Sequence, residues 1–321
     1  MSHPAPLVSV ICLCHNQARF VRRALDSVLA QTYAPVELLV VDDASTDGSP
    51  AVIQRFLAEN PSVKAFFLDK NWGNCRAFNH ALGQARGAFI LDLAADDVLL
   101  PERVARQVAG FQTVASQVGV LFHNARLIDE NGDSLGTYFP VDERGRSRVL
   151  VPEGDVFAAL LHYRPVCSPT MLIRRDVLDE LGGYDETLAY EDFDFWMRSS
   201  RKWLYAYQDE VLTEKRVRSN SLGGRLYQFR NDLLPSAFLV CQKADALVRT
   251  PDERAALDFR LRYFVRQCWY TGHFEIAGAF AELLPKTDRL TRLVLLACRW
   301  WVPVHSAYGQ YRRWKRFWRG Y

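Results

Sequence analysis

A chain of 321 residues, 49% hydrophobic and 24% charged, has an ordinary globular balance and room for one large domain plus an appendage. A net charge of only +3 excludes a molecule-wide polyanion binder, so any attraction to an anionic partner has to be local. The seven cysteines are odd in number, scattered and mostly set among apolar residues; they predict reduced thiols, and no zinc spacing accompanies Cys12 and Cys14.

In chain order, residues 7–13 form a continuous apolar run that predicts a first strand. Residues 18–30 then repeat apolar side chains at helix spacing, with Phe20, Ala24 and Val28 on one line and Val21 and Leu25 beside it. A second strand over 36–41 ends at Asp42-Asp43 and leads into Ala44-Ser45-Thr46-Asp47-Gly48, a turn of capping residues that opens a helix over 49–59. A third strand over 63–68 is followed by the Asn71-Trp72-Gly73 turn, a helix reaching residue 85, and a fourth strand over 88–93. Strand and helix alternating at this period predict a parallel sheet covered on both faces, with ligands bound where the strands end.

Pro101 opens a helix to about residue 116, residues 118–122 read as a strand, and Asn131-Gly132 marks a tight hairpin. Helix is predicted again over 151–163, strand over 168–173, and then a short helix closing on Gly182-Gly183. Beyond residue 221 the strand signal ends, and helices with loops near Pro251, Pro285 and Pro303 make up the rest. The expected division is an α/β domain over residues 1–225 and a helical C-terminal region over 226–321, with no internal repeat or low-complexity linker.

Three adjacent acidic pairs stand at breaks in this pattern: Asp42-Asp43, Asp96-Asp97 and Glu191-Asp192. Like charges side by side cost stability unless a cation, a hydrogen-bonding ligand or water compensates, so their recurrence at one sheet edge points to a metal-dependent active site. Solvated turns are the alternative for any single pair. The third pair also opens a predicted helix, whose dipole tolerates negative charge there.

The segments VSVICLCHN, SVLAQTYAPVELLVVDDASTDGS, NWGNCRAFNHALGQARGAFI, AADDVLLPERV and GGYDETLAYEDFDFWMR occur in the order and spacing of a family 2 inverting glycosyltransferase, which the chain resembles over roughly residues 7–221. The resemblance implies a GT-A fold, a Rossmann-like mixed sheet flanked by helices, here with a C-terminal helical appendage. It also implies a nucleotide-diphosphate-sugar donor, with a UDP-sugar favoured over dTDP- and GDP-sugars.

Within that resemblance, Asp43 takes the position of the family's base-recognising aspartate and would accept a hydrogen bond from a uracil or thymine imide. Asp42 supports either the turn or the ribose. Leu13, His15 and Asn16, with Asn71, would line the base, His15 standing where the family often has a tyrosine. Asp96 and Asp97 resemble the end of the metal motif for Mn or Mg, with Asp97 as direct ligand and Asp96 on the ribose or a metal-bound water. The pattern departs from the family in that Ala94-Ala95 replace its usual first aspartate, and Asp92 lies too far back to stand in. Asp192 resembles the catalytic base that takes the acceptor hydroxyl's proton, and Asp194 matches that position less well. Glu191 and Asp185 fall on the acceptor side, and Arg216, Arg218 and Ser221 resemble the short motif folded over the diphosphate.

In the C-terminal tail, Tyr308, Tyr311, Trp314, Trp318 and Tyr321 share one helix face, while Arg312, Arg313, Arg316 and Arg319 cluster on another. Such a segment suits docking on an anionic membrane and a lipid-linked saccharide acceptor; packing on the protein's own helices is the alternative. The apolar run at residues 293–304 is interrupted by Arg299 and Pro303, and the N-terminus lacks the pattern of a secretory signal. The expected location is cytoplasmic, soluble or peripheral on the inner face of the plasma membrane. A homodimer face on the helical region is a further expectation, and no nucleic-acid module is recognised. The competing functional reading is a non-catalytic sugar-nucleotide binder or membrane scaffold that kept the fold.

Overall fold

The strand β1 (Val8–Cys14) is buried along its whole length and pairs in parallel with β2 (Val36–Asp42) on one side and β4 (Phe89–Ala94) on the other. The coordinates are a computed structural model that describes residues 4–163, 165–189, 191–218, 226–301, 304 and 308. Register pairs Cys14 with Asp42 and Leu13 with Ala94, so the three strands reach the same edge together. That alignment brings the first two acidic pairs to one side of the sheet.

β3 (Lys64–Phe67) extends the parallel half beyond β2. On the other side the sheet is mixed, as the GT-A resemblance implies, and the parallel pairing expected from strand and helix alternation holds for β1 to β4. β8 (Leu172–Arg174) runs antiparallel to both β4 and β6 (Val118–Ile128), and β6 lies parallel to β9 (Leu204–Arg216). The two-residue β5 (Val98–Leu99) closes the order β3-β2-β1-β4-β8-β6-β9-β5, and β7 (Ser134–Thr137) hangs on β6. The strand expected over 168–173 is divided, because Pro169 has no N–H to give a ladder: Ser168–Thr170 is a single 3-10 turn and β8 starts only at Leu172.

Helices α1 (Val21–Leu29), α2 (Ser49–Glu59), α3 (Asn74–Leu82) and α4 (Arg103–Thr113) follow the predicted periodicity. α1 buries Val21, Ala24, Leu25 and Val28 in the same apolar cluster as β1, β4 and the α4 residues Val104, Val108 and Phe111. Two polar side chains also enter the interior from α4. Arg103 is wholly buried and donates to Met171 O (3.2 Å), Thr213 Oγ1 (2.8 Å) and Gln107 Oε1 (3.2 Å), while Gln107 Nε2 donates to Leu121 O and Thr170 O. They stitch α4 to the 3-10 turn and to β9, satisfying carbonyls that no ladder reaches.

The described residues divide into two compact units, 1–156 with 165–217, and 157–164 with 218–321. The helix expected over 151–163 is confined to α5 (Phe157–His162), which groups with the C-terminal helices rather than with the sheet. In this second unit α5 meets α9 (Pro251–Thr271), whose Arg260 donates to Leu161 O (2.5 Å) and His162 O (3.0 Å) at the end of α5. α8 (Leu233–Leu247), α10 (Phe274–Glu282) and α11 (Arg289–Arg299) complete the unit, and α9 starts with a capping box between Thr250 and Glu253. Tyr308 stacks on Tyr270 at 4.2 Å, so this member of the tail packs on the protein's own helix; Tyr311, Trp314, Trp318, Tyr321 and the four tail arginines lie outside the described residues. All seven cysteines are buried and unbridged, and no helix among the described residues is long and apolar enough to cross a membrane.

At the start of β4, Gly87 N donates to Ser9 Oγ (2.7 Å), and an added Cβ would stand 2.5 Å from Ser9 N and 2.8 Å from Phe89 O. The backbone has no room to yield there. Gly87→Ala is expected to cost about 1–3 kcal/mol and lower the calorimetric Tm by several degrees, whereas an unchanged Tm would show that the strands can part at this point.

Candidate functional site

The loops after β1 and β2 are tied to each other and to the start of α3. Asp43 is buried, its N–H donates to Cys14 O (2.8 Å), and its carboxylate accepts from Trp72 N (2.6 Å) and Gly73 N (3.0 Å). These bonds hold the Asn71-Trp72-Gly73 turn, where Gly73 adopts φ 82°, a conformation other residues reach only with strain. His15 Nδ1 lies 2.7 Å from Asp43 O; since a carbonyl only accepts, Nδ1 carries the hydrogen. Nε2 is then left to accept from Asn16 Nδ2 (3.1 Å) and Asn71 Nδ2 (3.2 Å). Leu13 is buried in β1 beneath them.

Asp42 Oδ1 accepts from Ser45 N (2.9 Å), so the turn role is present, and its Oδ2 is buried without a hydrogen-bond partner. Asn16 Oδ1 accepts from Thr46 N (2.8 Å) and Asp47 N (3.3 Å), lashing the two loops together. Asn16 and Ala44 both sit at φ 54°, an energetic cost located at the mouth of this cluster.

Beyond β4, Asp97 is buried and its Oδ1 accepts from Arg216 N (2.7 Å) at the end of β9. Burial, and next the Asp96 charge, push its carboxyl up to about 7, while Lys215, the Arg216 N–H and Arg103 pull the other way. The Arg216 guanidinium donates to Asp96 O (3.0 Å) and Asp129 O (2.6 Å) and lies 4.5 Å from the Phe20 ring centre. Its side chain braces the acidic turn against backbone carbonyls. Arg218 is half-buried and belongs to the second unit, and Ser221 lies outside the described residues. Among the described residues no three His, Cys, Asp or Glu side chains converge as a metal cluster.

The third station is built from α6 (Arg175–Leu181) and α7 (Glu191–Ser199). α6 ends in two left-handed glycines, and a Cβ on Gly183 would lie 2.4 Å from Asn79 Oδ1. That closeness lets Asn79 accept from Tyr184 N (2.9 Å) and donate to Tyr184 O (2.8 Å). Tyr184 stacks on Phe78 at 4.3 Å and donates its hydroxyl to Asp92 Oδ2 (3.1 Å). Asp92 is therefore engaged inside the sheet, in reach of the Asp192 charge, and does not join Asp96 and Asp97.

Asp192 sits in the first turn of α7, and its Oδ2 accepts from Ser168 Oγ of the 3-10 turn. Beside it, Glu191 Oε1 accepts from Asn74 Nδ2 (2.7 Å), and burial followed by the Asp192 charge pushes the Glu191 carboxyl up to about 8. Asp194 is paired with Arg198 (2.6 Å), whose other nitrogens donate to Leu181 O and Gly183 O; the arginine caps the end of α6, and Asp194 holds it there. Asp185 accepts from Thr187 N and Oγ1 in a local turn.

Lys215 was not among the sequence-predicted residues, although it adjoins Arg216. Cys167 in its ionised form, then Asp97, Tyr138 and Asp192, hold its ammonium above the usual lysine range against burial, and it stands 5.9 Å from the Tyr138 ring centre. β9 carries it to the second acidic station, since the N–H of the next residue, Arg216, is bonded to Asp97. Ser168, Asn74 and Asn79 also escape the sequence pattern, because each acts on a residue far away in the chain.

Asp92 offers a pH test of this cluster. Burial, and next the Asp192 charge, raise its carboxyl to about 7, so its contribution to stability is complete below about pH 4, the unfolded range, and is lost as pH rises through about 7. Asp92→Asn keeps an acceptor for Tyr184 and cannot ionise. The Tm of the parent is expected to fall more between pH 5 and 8 than that of the variant, by about 2–4 °C; parallel pH profiles would mean that Asp92 does not change charge in this range.

The Glycosyl transferase family 2 profile matches residues 9–182 of the chain. An uncharacterised glycosyltransferase of Rickettsia prowazekii is 28% identical over 284 residues, covering 87% of this chain and 86% of the relative. One from Rickettsia typhi is 27% identical over 214 residues, and there the match spans 66% of this chain and 64% of the relative's length. Among solved structures, Staphylococcus aureus TarS 1-349 in complex with UDP superposes with a TM-score of 0.64 at 19% identity, covering 94% of this chain and 91% of that one. Mannosyltransferase PcManGT of Pyrobaculum calidifontis, in complex with GDP-Man and Mn2+, gives 0.57 at 18% identity, covering 93% and 86%. The mixed sheet and flanking helices are those of the GT-A fold. Because the profile runs from β1 through α6, across all the strand ends that carry the first two acidic pairs, the chain belongs to the family 2 glycosyltransferases.

Proposed function

We propose that the chain transfers a sugar, with inversion, from a nucleoside-diphosphate sugar to a hydroxyl of a saccharide or lipid-linked saccharide, in the assembly of a surface glycan. The observation that carries this reading is Asp192 at the start of α7, its carboxylate bonded by Ser168, with Asp43 and Asp97 held by backbone N–H groups at the strand ends. The acceptor oxygen bonds to the anomeric carbon as the bond to the diphosphate oxygen breaks on the opposite face. The acceptor proton passes to the Asp192 carboxylate, and the bonding pair leaves with the nucleoside diphosphate.

A UDP-sugar is the favoured donor. Each oxygen of Asp43 accepts one backbone N–H and retains lone-pair capacity for an imide N–H, and the exposed His15, Asn16 and Asn71 side chains form a polar rim about it. The unpaired Asp42 Oδ2 has the character of an acceptor for a ribose hydroxyl. TarS was solved with UDP and PcManGT with GDP-Man, so the fold itself accommodates either base.

Asp97 and Asp96 would hold a hard divalent ion, Mn or Mg, since burial and next the Asp96 charge raise the Asp97 carboxyl and a cation would offset both. When bound, such an ion would supply charge stabilisation to the departing diphosphate. The ammonium of Lys215 would share that duty. Glu191, kept neutral near pH 7 by its surroundings, would donate a hydrogen bond to an acceptor sugar, with Asp185 at the rim. Ala94-Ala95 where the family has its first motif aspartate favour the second reading, a sugar-nucleotide binder without turnover.

Calorimetry with UDP, dTDP and GDP, with and without Mn, followed by a transfer assay, separates the two readings. Asp192→Asn is expected to lower kcat by about 10²–10⁴-fold with the nucleotide Kd unchanged. Lys215→Met is expected to raise the Kd for the diphosphate by about 10–100-fold, and Asp97→Ala to remove the effect of Mn on binding. Full turnover in Asp192→Asn would remove it as the base, and nucleotide binding with no transfer by the parent would favour the binder.

A further inference from the structure

Helix α11 (Arg289–Arg299) has two apolar faces. One, made of Thr291, Val294 and Cys298, is buried within the helical unit. The other carries Leu290, Leu293, Leu296 and, at the C-cap, Trp300, which are 56%, 63%, 51% and 77% exposed. Their spacing of three and four residues puts them along one line of the helix, turned away from the buried face. Single exposed apolar residues are ordinary on a soluble surface, but four large ones in register on one helix mark an interaction surface.

Charge selects the partner. Arg289, Arg292 and Arg299 are exposed on the same helix, and at 100° per residue Arg292 and Arg299 fall together along the flank of the apolar line. No acidic side chain among the described residues pairs with these three arginines. The sequence over 286–321 holds nine Lys or Arg against the single acidic residue Asp288, while the whole chain has a net charge of only +3. The rest of the chain is therefore net negative, and positive charge is concentrated in this stretch of sequence, with Lys286, Arg289, Arg292 and Arg299 on or beside the helix itself. A second copy laid on the face would bring like charges together. A surface that is apolar inside and anionic at its rim meets both requirements, and an anionic bilayer has that profile.

We propose that α11 lies in the plane of an anionic phospholipid surface, with Leu290, Leu293, Leu296 and Trp300 inserted at the level of the acyl chains and the arginines on headgroup phosphates. This gives the lipid-linked acceptor of the transfer reading a physical meeting place, but it rests on α11 alone and holds whether or not the chain turns over.

The test is co-sedimentation of the full chain with vesicles of phosphatidylcholine, alone or mixed with phosphatidylglycerol, at low and high salt. Binding is expected only to the anionic vesicles and is expected to weaken with salt. Leu293→Glu, Trp300→Glu and the pair Arg292→Glu with Arg299→Glu should each weaken it by about tenfold or more, with circular dichroism and UDP affinity unchanged. Parental binding by these variants would overturn the proposal, as would binding lost only on deletion of residues 302–321, which would assign it to the tail. A parent that ignores vesicles and sediments as a dimer broken by Leu293→Glu would give the face to a second copy. Absence of UDP binding with intact vesicle binding would count against the transfer reading and leave this surface in place.

Discussion

Burying a carboxylate without a donor costs several kcal/mol, and that constraint shapes this site. Asp43 is held by two backbone N–H groups of the turn before α3, Asp97 by the N–H of Arg216, and Asp42 by that of Ser45. Asp192, Glu191 and Asp92 take their donors from side chains, Ser168, Asn74 and Tyr184. Apart from Ser45, which lies in the turn of Asp42 itself, each donor belongs to a different segment from its acid. The loops at the sheet edge are therefore ordered by the charges they carry, and the acids stand ready before a ligand arrives.

The acids are also differentiated. Burial raises Asp92 and Asp97 to about 7 and Glu191 to about 8, while Asp192 takes a hydroxyl donor from Ser168 in the first turn of α7. Neighbouring carboxyls in different settings allow one to accept a proton while another donates a hydrogen bond. Lys215 provides the counter-charge at the centre. Arg103 and Gln107, buried below, fix the 3-10 turn from which Ser168 reaches Asp192, so a polar pair in the core positions the site indirectly.

The parallel half of the sheet was legible because apolar runs ending in Asp42-Asp43 and Asp96-Asp97 are local signals, and the register of β1 with β2 and β4 carries both pairs to one edge. The strand expected over 168–173 is there in part as β8, but its antiparallel course was not legible, since strand direction leaves no local signal. Lys215 and Ser168 were missed for a different reason. Their meaning comes from β9 and the 3-10 turn converging on acids that lie between 24 and about 120 residues away in sequence, and local pattern holds no record of such pairing. Arg216 was singled out as a diphosphate ligand, yet its guanidinium is occupied by two carbonyls, a distinction only the backbone course of the acidic turn reveals.

The membership of α5 in the helical unit has a consequence for how the chain is made. Leu160 and Leu161 are buried and the last carbonyls of α5 are served by Arg260, 98 and 99 residues further on. At a synthesis rate of about 5–20 residues per second, that partner leaves the ribosome roughly 5–20 s after α5 does. By the end of this interval β8 and β9 have joined the earlier strands, while α5 still carries unsatisfied apolar surface and open carbonyls. The nascent protein thus passes through a stage in which its catalytic half is essentially written and one helix waits, a natural point of engagement for a chaperone.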